Sequence, residues 1–578
     1  MSKTNTNVTE NLRKQIEAAI TAAMEQGALP KGEIPSFVIE EPADRSHGDI
    51  ATNVAMAGAR IFRMAPVKAA QIILDHIDLE NSFIEKCEIA GPGFINFFLS
   101  KRYLAAVLRE IENEGEHYGE SGYGQGKKVM VEFVSANPTG PMHLGNARGG
   151  ALGDCLAAVL DKAGYQAYRE FYVNDAGNQI EKFAASLEAR YMQLFDESFP
   201  FPEDGYQGAD ITERAEQFKE EFGGSLTSVT SEERRKALVD FALPRNIKRM
   251  QDDMAKYKIN FDNWFMESTL HDSGAVKAVV DTLTEKGLTY EKDGAIWYKN
   301  KEICTEILLN QGKKQDYIDK LELKDDVLIR SNGNPTYFAA DIAYHKNKFD
   351  RGFEQLINVW GADHHGHVMR LKGAMNAIGY DGDKLDILLM QLVKLVRDGQ
   401  IVTMSKRTGK AIQLRDLLDE VPVDSARFIF NTREATTQMD FDLDLAIQQD
   451  SQNPVYYVQY AHARICSILR NLEAEGIAAR SCTEEELCLL GAPEEIELIH
   501  LLSSFDSEII AAARDYDPTK ITKYVTNVAT YFHKFYNACR VKCDDEKLMQ
   551  ARLSLCIATK TVIKNVLDMF SITCPDRM

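Results

Sequence analysis

The chain has 578 residues, enough for about three or four domains with ample core. No apolar stretch approaches the roughly 20 residues that span a bilayer, and the start MSKTNTNVTENLRKQ lacks the apolar segment of a secretory signal. With 67 Lys/Arg against 87 Asp/Glu the net charge is −20, which excludes non-specific polyanion binding over the whole surface and leaves only local basic patches for such a partner. Ten cysteines are scattered, Cys539 and Cys543 being the closest pair, with no CxxC and no zinc-like Cys/His spacing. That usage points to a reducing cytoplasm and no structural metal.

Residues 1–118 read as a separate α/β module. Thr9 to Gln26 is an amphipathic helix with Thr9 as its cap, and Ile34 to Ile39 is a short strand. The heptad His47-Gly48-Asp49-Ile50-Ala51-Thr52-Asn53 leads into a helix and Gly91 to Phe97 into a strand. On its own, such a heptad is a loop and a helix cap. The glycine-rich run Tyr118 to Gly126 reads as a linker.

Val129 to Val134 has the length and β-branched content of a strand buried on both faces. A turn follows at Asn137-Pro138-Thr139-Gly140-Pro141. From Leu144 apolar residues recur at helical spacing, and Gly164 sits where a left-handed C-cap ends the helix. His143-Leu144-Gly145-Asn146 therefore opens a helix after a strand, where free N–H groups and the helix dipole favour phosphate. Gly145, Gly149 and Gly150 leave room for a close ligand, and His143 and Asn146 share one rim. Alone, HxGN is more often an ordinary helix start.

Tyr165 to Val173 is the next strand, giving a βαβ unit, and Asn174 to Gln179 opens a further helix. From about 188 to 270 the chain is charged and helical, an insertion between two halves of the fold. Tyr337 and Asp341 lie one helical turn apart. Leu356 to Trp360 forms another strand, followed by Gly361-Ala362-Asp363-His364-His365-Gly366-His367. Its histidines and aspartate admit a metal reading, but a strand followed by GxD at a sheet's carboxyl edge suits ribose and amino-acid contacts better. Ile387 to Val396 reads as one more buried strand. After the turn Arg397-Asp398-Gly399-Gln400 comes Thr403-Met404-Ser405-Lys406-Arg407-Thr408-Gly409-Lys410, whose cations among small residues suit a loop closing on phosphates.

Together HLGN and MSKR resemble the paired HIGH and KMSKS signatures of class I aminoacyl-tRNA synthetases, and the stretch before HLGN is similar to the arginyl-tRNA synthetase family; the resemblance covers nearly the whole chain. It implies a multidomain α/β protein: an N-terminal domain (1–118) that contacts the tRNA elbow, a Rossmann-like parallel-sheet catalytic domain (119–450) and a helical anticodon-binding bundle (451–578). It implies ATP, carried with Mg2+ and without a dedicated protein metal site, L-arginine and tRNA(Arg) as substrates, a cytoplasmic monomer, arginyl-adenylate as intermediate, and tRNA bound before arginine is activated. Carried over residue by residue, His143, Asn146 and Lys406 are the catalytic candidates. Gly140, His143, Gly145, Asn146, Gly361, Asp363, Met404, Ser405, Lys406 and Arg407 are those for ATP. Arginine falls to Glu132, Asn137, Tyr337, Asp341, Asp363 and His364.

Glu132 supports this independently, because a carboxylate within an apolar strand costs several kcal/mol unless a cation pairs with it, and a substrate guanidinium would be that cation. A guanidinium offers five donors in a plane, so two carboxylates can hold it where a lysine would satisfy neither fully. Two departures stand out: Asn146 replaces the second histidine of HIGH, and Thr403 the first lysine of KMSKS, for which Lys410 is a candidate substitute.

Asn453-Pro454 begins a helix ending near Arg470, and helices follow at Pro493 to Arg514 and Pro518 to Cys539. From Pro518 to Met578 ten Lys/Arg stand against five Asp/Glu, interleaved with Tyr524, Tyr531, Phe532, Phe535 and Tyr536, a pattern that suits base stacking although most of these rings belong to a core. Two other functions fit parts of this pattern. A class I synthetase for another amino acid would share the signatures without needing a buried Glu132, and a non-catalytic tRNA-binding relative would keep the helical domain while tolerating losses at HLGN and MSKR.

Overall fold

In the computed structural model, which describes residues 3–42, 44–80, 82–402 and 412–578, the chain opens with the helix Lys3–Glu25, which starts earlier than the expected Thr9 cap. Its Leu12, Ile16 and Ile20 share a core with a four-stranded antiparallel sheet in the order Ile39–Glu40, Ile50–Thr52, Phe94–Leu99, Ile84–Ala90. The strand expected from Ile34 shrinks to Ile39–Glu40, because side chains meet its backbone first: Val38 N donates to Asn53 Oδ1 at 2.9 Å and the Val38 carbonyl accepts from Thr52 Oγ1 at 2.7 Å. Asp49 Oδ2 accepts from Leu99 N, so the HGDIATN heptad staples this module together. The glycine-rich run that follows is pinned rather than loose. Tyr118 is buried, donates to the Leu502 carbonyl at 3.0 Å and packs on Phe505.

The central domain is built on five parallel strands: β1 (Lys128–Glu132), β2 (Gln166–Val173), β3 (Asn263–Met266), β4 (Gln355–Gly361) and β5 (Leu385–Met390), in the order β5-β4-β1-β2-β3. β1 occupies the middle, which explains why Val129, Met130 and Val131 are all buried. Helix α1 (Leu144–Lys162) returns the chain from β1 to β2 and stops at Gly164, whose φ of 90° is the left-handed region expected there.

Between β2 and β3 run α2 (Asn178–Gln193), α3 (Ala209–Phe222) and α4 (Ser231–Lys256), around a small core of their own that includes Phe183, Tyr191, Phe218 and Phe241. The stretch 188–270 is thus not wholly an insertion, since its end supplies the sheet's edge strand β3. Four residues, NWFM, are too few for periodicity to reveal. A three-stranded antiparallel sheet (Thr289–Lys292, Ala295–Tyr298, Asp326–Ile329) that sequence reading missed precedes α5 (Tyr337–Asp350), and α6 (His365–Ile378) follows β4.

The run Ile387 to Val396, expected as one strand, divides. β5 ends at Met390, and Val393–Arg397 joins a second sheet with Gln400–Val402 and Met439–Asp442. The cause is Arg148 on α1. Fully buried, it donates to the carbonyls of Gln391 (2.8 Å), Thr437 (3.0 Å) and Glu434 (2.8 Å), pulling the chain off the first sheet.

The C-terminal region is helical, from Pro454–Ala474, capped by Asn453, to Glu546–Met569. The helix expected from Pro493 to Arg514 breaks at Ser504 into two. Tyr524, Phe532 and Phe535 are core residues, whereas Tyr531 and Tyr536 are only half-buried. Arg427, wholly buried on the helix Val423–Phe430, pairs with Asp154 of α1 and donates to the carbonyls of Phe570 (2.7 Å) and Tyr257 (3.1 Å). One guanidinium thereby joins α1, the end of α4 and the last helix. Arg427→Ala leaves Asp154 to Arg169 alone and the Phe570 and Tyr257 carbonyls without this donor, and should cost about 1–3 kcal/mol of stability; an unchanged denaturant midpoint would show that this clamp carries no weight.

Candidate active site

In an open parallel sheet, ligands bind beyond the carboxyl ends of the strands, at the point where strand order reverses. Here that point lies between β1 and β4, since the chain proceeds from β1 outward to β2 and β3 and then returns to the other side as β4 and β5. The sequence candidates fall on these ends: Glu132 ends β1, Gly361 ends β4, and Asp363 and His364 follow within one turn of 3-10 helix.

The backbone beyond Glu132 is strained. Val134 and Ser135 have φ of 69° and 42°, a left-handed conformation that costs a β-branched residue on the order of 1–3 kcal/mol. It is held by the Ser135 hydroxyl, which donates to Glu132 Oε1 at 2.8 Å and accepts from Tyr172 N at 3.2 Å. Asn137 then stands exposed on the turn, and the Pro138 carbonyl accepts from Asn246 Nδ2 of α4 at 2.9 Å. Gly140 is half-buried, with the Asp210 carboxylate 3.8 Å from where a Cβ would sit.

His143 is the N-cap of α1, with extended backbone. Its N–H donates to Asn146 Oδ1 at 2.9 Å while Asn146 N donates to the His143 carbonyl at 2.9 Å. Asn146 thus closes the helix start with its oxygen, a task its neutral amide performs without the charge of a histidine. The His143 ring is exposed at its edge, yet the surrounding protein desolvates it enough to lower its pKa, which favours a neutral imidazole.

Thr403, Met404, Ser405, Lys406, Arg407 and Lys410 lie outside the described residues. The chain on the far side of them is described and returns to the same helix cap: Gln413 bridges His143, and Leu414 N donates to the Met142 carbonyl at 2.9 Å. Gln413 and Leu414 are thereby fixed beside the first signature.

Beside the cap lies an acidic pocket. Glu132 is 5% exposed, and its partner is internal: Lys348 Nζ, wholly buried on α5, lies 2.5 Å from Glu132 Oε2. This corrects the expectation that a substrate guanidinium supplies the counter-charge. Lys348 also donates to Asn358 Oδ1 at 2.9 Å, Asn358 Nδ2 donates to His345 Nε2 at 2.7 Å, and the proton on His345 Nδ1 faces the Asp341 carbonyl at 2.8 Å. Burial and Lys348 hold the His345 pKa well below its ordinary value, matching that neutral tautomer. A continuous chain of hydrogen bonds therefore runs from Glu132 to Asp341.

Asp341 is one-third exposed and accepts from His367 Nε2 at 2.9 Å, while His367 Nδ1 accepts from Arg370. Tyr337, one turn earlier, is 40% exposed. The Tyr172 hydroxyl donates to Glu267 and feels the charges of Asp341 and Glu132 as well, and Tyr337 feels the Glu267 charge. Glu267 itself is 3% exposed, and burial raises its pKa against the opposing pull of His271 and Tyr172. Three carboxylates thus stand against one buried lysine, with Arg330 acting on Tyr337 and histidines on Asp341 and Glu267.

The other candidates are looser. Asp363 has 84% of its side chain exposed and lies 3.9 Å from His364, whose ring sits 5.9 Å from that of Trp360. These two are at the rim rather than in the acidic pocket. Sequence reading missed Glu267, Tyr172 and Lys348. The signal available for Glu267 was its place directly after a strand, and that strand was too short to be recognised.

The family model "Arginyl tRNA synthetase N terminal domain" matches residues 10–99, "tRNA synthetases class I (R), catalytic domain" matches 108–467, and "DALR anticodon binding domain" matches 458–578. The arginine–tRNA ligase of Acetivibrio thermocellus is 53% identical over 99% of this chain and 100% of its own, and that of Caldanaerobacter subterraneus subsp. tengcongensis 54% identical over 98% of each. Among solved structures, a putative arginyl-tRNA synthetase from Campylobacter jejuni is 32% identical with a TM-score of 0.72, covering 83% of this chain and 100% of that one. The Thermus thermophilus arginyl-tRNA synthetase shares the fold at 22% identity and TM-score 0.70, over 98% of this chain and 100% of that one. With all three domain models in register along it, the chain belongs to the arginyl-tRNA synthetase family of the class I synthetases.

Proposed function

We propose that this chain ligates L-arginine to tRNA(Arg) in two steps. The arginine carboxylate attacks the α-phosphate of ATP, releasing pyrophosphate and forming arginyl-adenylate. The ribose hydroxyl of the terminal tRNA adenosine then attacks the adenylate carbonyl and releases AMP. Mg2+ arrives with the triphosphate and is given no protein site. The observation that carries the reading is the pocket of Glu132, Glu267 and Asp341, at the same sheet edge as the His143 helix cap.

Each residue's role follows from its surroundings. Asp341 and Glu267 hold the two edges of the guanidinium with Tyr337 beside them, and Glu132, already engaged by Lys348 and Ser135, sets the field and shape of the pocket. Asn137, Asp363 and His364 stand at the exposed rim and meet the polar end of the amino acid. Gly140, His143, Gly145, Asn146 and Gly361 receive ATP, the neutral imidazole donating to a phosphate oxygen. Met404, Ser405, Lys406 and Arg407 are assigned to the ATP phosphates by the family resemblance. Phosphoryl transfer needs positioning and charge neutralisation rather than a protein nucleophile, and Lys406 supplies the cation that matters most in the transition state.

ATP–pyrophosphate exchange with arginine, with and without tRNA, tests the function directly; exchange driven by a different amino acid would replace the reading. Asp341→Asn and Glu267→Gln should each raise the KM for arginine by about one to two orders of magnitude, the ~1.5–3 kcal/mol of a hydrogen bond to a charged group. Because burial raises the Glu267 pKa, its carboxylate protonates, and arginine binding weakens, at a higher pH than for an ordinary glutamate. That acid limb in KM should vanish in Glu267→Gln, and its persistence there would assign it to another group. Lys406→Ala should lower kcat about 10²–10³-fold with little change in arginine KM, and a near-normal kcat would remove its role. Glu132→Gln should both raise arginine KM and lower the melting temperature, since Lys348 loses its counter-charge. A raised KM at unchanged stability would mean that Glu132 touches the substrate directly.

A further inference from the structure

Among the described residues, one group in the C-terminal helical region has the donor set of a metal centre: His462, Cys466 and Asp576, each offering a ligand atom within 4.8 Å of the others. His462 and Cys466 stand four positions apart on the helix Pro454–Ala474, so they share one face of it. Both are buried, at 2% and 6% exposed. Asp576 reaches them from the end of the chain, 110 positions beyond Cys466, and is itself exposed. That separation is why the sequence shows no zinc-like spacing although the fold brings the three donors together.

Cys466 Sγ lies 3.2 Å from Asp576 Oδ1 and 3.8 and 4.0 Å from Nδ1 and Nε2 of His462. Atoms bound to one tetrahedral zinc at about 2.0–2.3 Å sit about 3.3–3.8 Å from each other, so side-chain adjustments alone can close the trio on such an ion. The imidazole has its proton on the appropriate nitrogen. A carbonyl only accepts, so the 3.0 Å contact of His462 Nδ1 with the Pro575 carbonyl puts the ring proton on Nδ1 and leaves the Nε2 lone pair for a metal, as the outer carbonyl partner of a ligating histidine does. The cations nearby are engaged elsewhere: Arg470 donates to the Asp576 carbonyl at 3.0 Å, and Lys564 pairs with Asp568. Together with Lys560 they still add positive charge around His462 and Asp576, which favours ligands that bring negative charge of their own, a thiolate and a carboxylate.

We infer that His462 Nε2, Cys466 Sγ and an Asp576 carboxylate oxygen bind one zinc ion, with the fourth position, on the solvent side, taken by water. Sulfur and imidazole in the donor set select zinc over magnesium or calcium. As the ion binds, the Cys466 thiol, which donates to Asp576 without it, releases its proton to solvent and its sulfur becomes a ligand. The ion ties the last residues of the chain to the helix Pro454–Ala474. Its role is structural, and the inference stands apart from the proposed function.

The test takes the full chain, stripped of metal by a chelator, and titrates it with Co2+, whose bond to a thiolate gives a charge-transfer band. The parent chain should gain this band with one Co2+ per chain and lose it when Zn2+ is added. Cys466→Ser should lose the band. Asp576→Asn, at an exposed position, should weaken Co2+ binding at least about tenfold, since losing a ligand costs no less than losing an outer partner. Cys574→Ser removes the other thiol of the tail, one that feels Cys466, and should keep the band. Without metal, Cys466→Ser should melt as the parent does, which separates loss of the ion from loss of the fold; added Zn2+ should raise the melting temperature of the parent alone. No band in the parent, an unchanged band in Cys466→Ser, or undiminished affinity in Asp576→Asn would each overturn the inference.

Discussion

The site depends on one buried ion pair, Lys348 with Glu132. Removing both charges from water is expensive, and attraction repays the cost only when geometry is good and the remaining hydrogen-bonding positions are filled. Both conditions hold: the pair is at 2.5 Å, Ser135 takes the other oxygen of Glu132, and Asn358 takes a second proton of Lys348. What the pair secures is position. It fixes the carboxyl end of β1 to α5 and, through Asn358 on β4, across the reversal point of the sheet. Because His345 passes the chain on to the Asp341 backbone, the residues that meet a ligand stand on a frame that has one arrangement.

That frame leaves a deliberate imbalance. Lys348 neutralises one of three carboxylates, and the Tyr172 hydroxyl among them carries no positive charge. On the proposed function, a neutral side chain would leave the remaining two with neutral hydrogen-bond donors only, so charge favours a cationic amino acid. Shape must then separate arginine from lysine, and a planar fork of five donors can serve Asp341 and Glu267 together where a compact ammonium cannot. Burial raises the pKa of Glu267, and a cation placed beside it would pull that pKa down again. The left-handed Val134 and Ser135 belong to the same design, since the kink they impose turns the chain out of the sheet directly after Glu132 and lets Ser135 reach back to it.

What was legible in the sequence follows the range of the forces involved. The strand, turn and helix from Val129 to Gly164 could be read because a doubly buried strand, a glycine cap and a helix start each leave a local pattern. The family signatures likewise placed Tyr337, Asp341 and Glu132 at one sheet edge. The pairing of Glu132 with Lys348, 216 positions away, leaves no local trace, so the counter-charge was assigned to the substrate. Glu267 was hidden for a related reason, following a four-residue strand within a charged helical stretch. The broken strand at Gln391 shows the same limit, since apolar composition continued through it while Arg148, on a distant helix, decided where it bent.

The helix α4 shows why the stretch between β2 and β3 is more than an ornament on the fold. Asn246 ties it to the turn before His143, and Asp253 and Lys256 tie it to Arg415 and Asp419 on the helix after the second signature. Just past its end, Lys258 pairs with Asp424 at 2.7 Å. These contacts brace both walls of the nucleotide crevice against one rigid rod, so the distance between the walls is set by helix geometry rather than by loops.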